Sequence, residues 1–286
     1  MTLQRTTTPQ EARDVVQTWQ RDGLTVGFVP TMGALHEGHM SLVRASAAEC
    51  DRTVISIYVN PTQFAPTEDL AKYPRRLDAD CRMAAGAGAN MAFCPTDKVM
   101  YPDGACTFVV QERLTGVLEG AVRPTHFRGV LTIVCKLFHA VPAERAYFGQ
   151  KDFQQTIVVR RMVQDLDMPI EVRVMPTVRE ADGLAMSSRN AYLNAEERRQ
   201  APCLHRALTE ALRLYGGGRT DADALRQAMR GIIAEARLAQ VDYVDVVDKE
   251  TLKPLRLATD RAVAVLAVRL GATRLIDNAL LNTEKG

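Results

Sequence analysis

Two histidines lie within a short glycine-containing segment near the start of the chain. Residues 29–39 read Val-Pro-Thr-Met-Gly-Ala-Leu-His-Glu-Gly-His and follow an apolar run that is typical of a strand. Gly33 and Gly38 allow a ligand to approach the backbone closely, and a helix that begins here would offer free N–H groups to phosphate. The alternative is an ordinary turn with surface histidines, which this strand-to-helix context disfavours. His36 and His39 are therefore candidate donors to a phosphate group.

Two later segments carry cations and hydroxyls at positions suited to phosphate. Lys151 lies at the start of a predicted helix, where the helix dipole disfavours a cation unless an anion is bound. Ser187, Ser188 and Arg189 supply hydroxyls and a guanidinium that can bind phosphate oxygens. The alternatives are a solvated lysine and a solvated linker, but apolar residues at 184–186 are not typical of a free linker.

A glutamine follows another predicted strand. The apolar run ends at Val59, and Gln63 comes four residues later, beyond Pro61. Because an amide both donates and accepts hydrogen bonds, a buried Gln63 can recognise a substrate that bears hydroxyl and carboxylate groups. The alternative is a glutamine that only stabilises the turn beside Pro61.

Five segments taken together resemble the pantothenate synthetase family, and the first of them also resembles the HxGH motif of the nucleotidylyltransferase superfamily. These segments are residues 29–39, 58–64, 123–127, 148–152 and 186–190. They stand in the expected order between residues 25 and 193. The last hundred residues or so resemble the family only in length and pattern.

The resemblance implies an AMP-forming ligase that condenses pantoate with β-alanine through a pantoyl adenylate and releases AMP and pyrophosphate. It implies catalytic roles for His36, His39, Lys151, Ser187, Ser188 and Arg189. The implied ATP contacts are Met32, Gly33, His36, Gly38, His39, Gly149, Gln150, Lys151, Asp152, Val178, Met186, Ser187, Ser188 and Arg189. The implied substrate contacts are Gln63, Gln155, Tyr73, Arg123 and Glu119. Magnesium is implied as well, with Asp80 as its candidate ligand, although Ala79 interrupts the acidic run there.

Three other functions share some of these features. Another HxGH nucleotidylyltransferase would form a dinucleotide, and Gln63 and Gln155 argue against it. A non-catalytic nucleotide-binding module is possible because the fold does not fix the function. The third alternative is a tRNA ligase, but the chain has no basic domain that would recognise an anticodon.

The composition is that of a globular protein, with 47% hydrophobic and 24% charged residues among 286. A net charge of +2 lacks the basic surplus of proteins that bind nucleic acid. Charged residues near the N-terminus and the lack of an 18-residue apolar run predict a cytoplasmic protein without a membrane partner. A homodimer is also expected, although the sequence does not indicate its interface.

The candidate residues must be positioned by two domains. Strand patterns alternate with helical patterns up to residue 176, which predicts a doubly wound, Rossmann-like α/β domain over residues 1–176. The predicted strands are 25–30, 53–59, 91–94, 145–148 and 170–175, and the predicted helices are 41–49, 74–85, 129–139 and 153–166.

Residues 177–286 are predicted to form a smaller α+β lid domain. Asn194 and Glu197 predict a helix start, and Pro202 should kink that helix or mark its true start. A further helix at 221–238 and strands at 241–247 and 262–268 complete the pattern.

Overall fold

The computed structural model describes residues 3–65 and 68–281, which form two compact units. Unit 1 contains the described residues of Met1–Gly149 and Val158–Pro176. Unit 2 contains those of Gln150–Ile157 and Thr177–Gly286. The segment 150–157 thus groups with unit 2, which the predicted division after Pro176 does not anticipate.

Unit 1 is built on a parallel sheet. Within the described residues its strands are β1 Gln4–Thr6, β2 Val26–Thr31, β3 Arg52–Ile57, β4 Met91–Phe93, β5 Arg145–Gly149 and β6 Glu171–Met175. Their order is β1-β4-β3-β2-β5-β6, and every pairing is parallel. β2 and β3 are almost wholly buried, as expected of central strands covered on both faces.

Helices cover this sheet on both faces. They are α1 Pro9–Arg21, α2 Glu37–Glu49, α3 Leu77–Gly86, α4 Asp97–Met100, α5 Glu119–Val122, α6 His126–Ala140 and, from Val158 onward, α7 Phe153–Asp165. The apolar residues of α1 and α6 share one core with the unit 1 part of α7, and those of α2 and α3 belong to another core. The fold class is therefore confirmed as a doubly wound α/β unit.

Unit 2 packs helices on an antiparallel sheet. Its elements are α8 Ala195–Gln200, α9 Cys203–Gly216, α10 Ala222–Ala234, β7 Ala239–Asp248, β8 Ala262–Leu270 and β9 Thr273–Leu280. The strand order is β7-β8-β9, and buried residues of α9 and α10 complete the core with β8. Across residues 3–65 and 68–281, no helix has both the length and the apolar character needed to cross a membrane.

Several local predictions are confirmed. Asn194 caps α8 in a capping box with Glu197, and Pro202 separates α8 from α9. Two N-terminal elements, β1 and α1, were missed, although Thr8 and Glu11 form a capping box around a helix that begins at Pro9. The strand β9 was also missed.

Candidate active site

The strand order of unit 1 reverses between β2 and β5. β2 has β3 on one side and β5 on the other. The connection from β2 to β3 and the connection from β5 to β6 therefore run in opposite directions from adjacent strands. In open parallel sheets, ligands bind at the carboxyl ends of the strands beside such a reversal. β2 ends at Thr31 and leads directly into the His-x-Gly-His segment, while β5 ends at Gly149.

A tight turn connects β2 to α2. Gly33 has a φ of 77°, and a Cβ at this position would lie 2.9 Å from Asp80 Oδ2 and 3.1 Å from Ile57 Cγ2. Ala34 also has a positive φ, of 50°. A non-glycine residue persists in this region only when its surroundings hold it there.

Asp80 holds this turn in place. Asp80 is 3% exposed, and its carboxylate accepts hydrogen bonds from Ala34 N at 3.0 Å and Leu35 N at 2.9 Å. Bonds from backbone N–H groups to a carboxylate are charge-assisted and are stronger than neutral ones. Asp80 therefore fixes the backbone that leads into His36.

The two histidines of the motif contact each other and the helix start. His36 is the N-cap of α2, and its Nδ1 accepts from Gly38 N at 3.2 Å. His39 Nδ1 accepts from His36 N at 3.3 Å, and the ring centroids are 4.1 Å apart. Because each Nδ1 accepts a hydrogen bond, the proton of each neutral ring lies on Nε2. Both imidazoles can thus act as Nε2–H donors.

Gln63 is 9% exposed and lies in the 3₁₀ turn Pro61–Gln63 that follows β3. Its Oε1 accepts from Asn60 Nδ2 at 3.1 Å, and its Nε2 lies 3.0 Å from Met32 Sδ. Asn60 Oδ1 in turn accepts from the Tyr101 hydroxyl at 2.9 Å. The side-chain amide of Gln63, which is predicted to contact the substrate, is therefore oriented by a buried hydrogen-bond network.

The backbone of Gln63 is held from the other side by Arg123 and His126. His126 Nδ1 lies 2.9 Å from Gln63 O, and Arg123 Nη1 lies 3.2 Å from His126 Nε2. Since a guanidinium only donates, Nε2 must accept and Nδ1–H must donate to Gln63 O. Arg123 also pairs with Glu68 through two hydrogen bonds, at 2.7 and 2.6 Å. Burial and the Arg123 cation lower the pKa of His126 to about 4.

The other predicted substrate residues of unit 1 are both buried. Tyr73 is 5% exposed, and its ring packs edge-on against Phe64 with 6.0 Å between centroids. Ala34 belongs to the same apolar cluster, which places Tyr73 beside the turn that holds His36. Glu119 is 7% exposed at the start of α5.

The lysine segment lies in unit 2. Gln150–Asp152 form a 3₁₀ turn that runs directly into α7, and Lys151 Nζ lies 3.5 Å from Asp152 Oδ1. Gln150 Nε2 donates to Asn278 Oδ1 at 3.2 Å. Gln155 is half-buried in the first turn of α7. Its predicted position opposite Gln63 stays a prediction.

The serine and arginine segment is also in unit 2, and follows a narrow loop. Met186 N donates to Val178 O at 3.0 Å, and Arg179 pairs with Ala185 in a β-bridge. Ser187 then caps a 3₁₀ turn, Ser188–Tyr192, by accepting from Arg189 N at 3.2 Å. The two serines and Arg189 are thus presented on one short turn.

The assignment of Asp80 to magnesium has no support from the geometry. Both carboxylate oxygens already accept backbone hydrogen bonds. Among the described residues, no group of three or more His, Cys, Asp or Glu side chains is arranged to hold a metal ion. The residues that the structure describes therefore form no protein cage for magnesium, and the contacts of Asp80 hold the turn.

Sequence reasoning missed the residues that orient these candidates. Asn60 and His126 lie inside segments 58–64 and 123–127, which carry the family resemblance. The sequence did not indicate that these two residues orient Gln63. Asp277 and Asn278 lie in β9, where residues 273–277 read Thr-Arg-Leu-Ile-Asp and do not alternate between apolar and polar types, so local periodicity gave no clear strand signal.

A parallel sheet with a reversed strand order beside a His-x-Gly-His turn defines a nucleotide-binding α/β protein. The family model for pantoate-beta-alanine ligase matches residues 4–280. A pantothenate synthetase of Herpetosiphon aurantiacus is 52% identical over 280 residues, which cover 98% of this chain and 100% of the relative. The chain therefore belongs to the pantoate–β-alanine ligase family.

Solved structures agree with this membership. A pantothenate synthetase from Thermus thermophilus has a TM-score of 0.93 at 43% identity, covering 98% of this chain and 100% of the other. The pantoate–β-alanine ligase of Francisella tularensis, complexed with β,γ-ATP and β-alanine, has a TM-score of 0.80 at 30% identity and covers 99% of each chain.

Proposed function

We propose that this chain condenses pantoate with β-alanine at the expense of ATP, giving pantothenate, AMP and pyrophosphate. Family membership supports the overall reaction, and the ligands of the Francisella relative support ATP and β-alanine as substrates. The observation that carries the proposal in this chain is the His-x-Gly-His turn at the strand-order reversal, with both histidines oriented as Nε2–H donors.

In the first half-reaction, a pantoate carboxylate oxygen attacks the α-phosphorus of ATP, and pyrophosphate leaves. A carboxylate with a pKa of about 4 is already ionised at neutral pH, so this step needs no general base. His36 and His39 donate to the charge that develops on the α-phosphate, and Lys151 with Ser187, Ser188 and Arg189 binds phosphate oxygens. Such a site accelerates the reaction by positioning and electrostatics.

In the second half-reaction, the amine of β-alanine attacks the carbonyl carbon of pantoyl adenylate. The bond from this carbon to the phosphate oxygen breaks, AMP leaves, and the nitrogen releases a proton to solvent. Because β-alanine carries an ammonium group at neutral pH, it must also release one proton to solvent before the attack. Gln63 and Gln155 hold the hydroxyl and carboxylate groups of pantoate in the first step, and the hydroxyl and carbonyl groups of the pantoyl portion in the second, since an amide can donate and accept.

Exchange of labelled pyrophosphate into ATP tests the adenylate. We expect exchange that requires pantoate and proceeds without β-alanine, because activation of the carboxylate needs only the first two substrates. A mononucleotide offered in place of pantoate should support no exchange. Exchange with the mononucleotide alone would instead indicate an enzyme that forms dinucleotides, and its absence with saturating pantoate would contradict an adenylate intermediate.

Alanine variants of the two glutamines test whether these residues recognise pantoate. Gln63→Ala and Gln155→Ala should each weaken pantoate binding by about 1–3 kcal/mol, because a polar group of the bound substrate loses its partner. ATP binding should change much less. Calorimetric titration of each ligand measures both affinities, and an equal loss for ATP would remove these residues from pantoate recognition.

Three further parts complete the proposal. Magnesium enters with ATP, because this ion is commonly held by substrate phosphates and few protein groups. The chain acts as a homodimer, and sedimentation equilibrium measures its mass. It works in the cytoplasm, which cell fractionation tests.

A further inference from the structure

β9 packs against both unit 2 segments that carry candidate phosphate contacts, the 3₁₀ turns Gln150–Asp152 and Ser188–Tyr192. Two adjacent polar residues of this strand, Asp277 and Asn278, are each 3% exposed. Successive side chains of a strand point to opposite faces of the sheet. The pair can therefore hold a different segment on each face.

Asn278 holds the backbone of the lysine segment. Its Nδ2 donates to Gln150 O at 2.9 Å and to Lys151 O at 3.0 Å, and its Oδ1 accepts from Gln150 Nε2. Both donors and the acceptor of this amide are thus engaged with two consecutive residues. These bonds fix the position from which the Lys151 side chain extends.

Asp277 holds the loop that precedes the two serines. Its carboxylate accepts from Arg179 Nη1 at 2.6 Å and from Arg179 Nη2 at 3.0 Å, a bidentate arrangement. Arg179 Nη1 also donates to Gly183 O at 3.0 Å. A Cβ on Gly183, whose φ is 90°, would lie 2.0 Å from His205 Cδ2, so this loop is closely confined.

We infer that Asp277 and Asn278 are positioning residues for adenylation, Asn278 acting through Lys151 and Asp277 through Arg179 and the segment 187–189. The inference rests on the proposed phosphate roles of Lys151 and Arg189. The side chains of both β9 residues bond to other parts of the protein, Asp277 to Arg179 and Asn278 to residues 150–151. Their effect is to hold two phosphate-binding segments on one rigid strand, which matters because small misplacements of catalytic groups greatly reduce rate.

A double-mutant cycle tests the Asn278 arm. Asn278→Asp keeps the side-chain shape but replaces the two N–H donors with an oxygen that faces the carbonyls of Gln150 and Lys151. We expect pyrophosphate exchange to slow by about tenfold in the otherwise unchanged protein. In the Lys151→Ala background, the same change should slow exchange less than about twofold, because coupled residues do not contribute additively.

The possible outcomes separate the inference from the function on which it rests. Additive losses from Lys151→Ala and Asn278→Asp would overturn the positioning role and leave Lys151 in the site. An unchanged rate in Lys151→Ala would overturn the proposed role of Lys151 and, with it, the Asn278 arm. If Asn278→Asp does not fold, Asn278→Ser removes the same donors and enters the same cycle.

A second cycle tests the Asp277 arm. Asp277→Asn and Arg189→Ala should likewise be coupled in their effects on exchange, and additivity would overturn this arm. Asp242→Asn is the matched control, because Asp242 pairs with Arg269 and Arg274 in the same sheet. It should leave exchange within about twofold at a temperature well below melting. A loss equal to that of Asp277→Asn would show a general effect of sheet stability and overturn the inference.

Discussion

The turn after β2 in unit 1 and the loop at 177–190 in unit 2 are held in different ways. The unit 1 turn is fixed by Asp80, which is 3% exposed and bonds directly to backbone N–H groups. The unit 2 loop also has a buried anchor in Asp277, but its tip relies on Arg198, which pairs with Glu180 and Asp182. The side chains of that trio are 32%, 30% and 40% exposed.

This difference follows from the solvent around each anchor. A buried carboxylate bonded to backbone N–H groups leaves those groups unpaired if it is removed. Partly exposed ion pairs are screened by salt and each contributes little. We therefore expect the unit 1 turn to be rigid, and the tip of the unit 2 loop to be more easily displaced.

The largest expected effect is on the rate of pyrophosphate exchange, and it comes from His39 beside the rigid turn of unit 1. His39→Ala should reduce pantoate-dependent pyrophosphate exchange by about 10²–10³, the usual loss for one donor to a developing oxyanion. The exposed His139 on α6 provides the control, and His139→Ala should leave the rate nearly unchanged. Similar rates for the two variants would show that the rigid turn serves no chemical role.

The next effect concerns the anchor itself. Asp80→Asn places an N–H group against a backbone N–H, so one charge-assisted bond is lost and one buried donor is unpaired. Unfolding in urea should show a loss of about 2–3 kcal/mol. Asp78 lies on the same helix with its side chain 74% exposed, so Asp78→Asn should cost little. Equal losses of unfolding free energy in Asp80→Asn and Asp78→Asn would show that a buried carboxylate anchors the structure no more strongly than an exposed one.

A pH-dependent effect comes from His126. Its pKa is lowered to about 4 in the folded protein, whereas an unfolded histidine has a pKa of about 6.5. Below about pH 6.5 this histidine is protonated in the unfolded chain but stays neutral in the folded chain. The free energy of unfolding therefore decreases as the pH falls from about 6.5 towards 4.

Between pH 8 and pH 5, this histidine should account for about 1–2 kcal/mol of the lost stability. Urea unfolding of His126→Asn should therefore show a flatter pH dependence than the unchanged protein. An unaltered slope in His126→Asn would mean that the ring is protonated as easily folded as unfolded.

The smallest effect is expected at the tip of the unit 2 loop. Arg198→Ala should lower the free energy of unfolding by less than about 1 kcal/mol, because its partners are partly exposed. The loss should shrink further in molar salt. A cost as large as that of Asp80→Asn, or one that salt leaves unchanged, would show that both loops are anchored with equal strength.

Local sequence patterns were enough to predict the central elements. Short runs rich in residues that favour strands identified β2 and β3, and the capping residues Asn194 and Glu197 identified the start of α8. β1 is only three residues long and pairs with β4, far along the chain, so local periodicity carries little information about it. The functional roles of the site residues and the action of residues 177–286 as a lid stay predictions.

The sequence by itself determined the α/β class, the family and the segments that carry the chemistry, because these depend on residue types at short spacing. Only the tertiary structure decided which side chains hold those segments. Asp80 is 45 residues from Leu35, and Asn278 is 127 residues from Lys151. Such bonds form only when folding brings distant strands and helices together and removes water from between them, which no local pattern records.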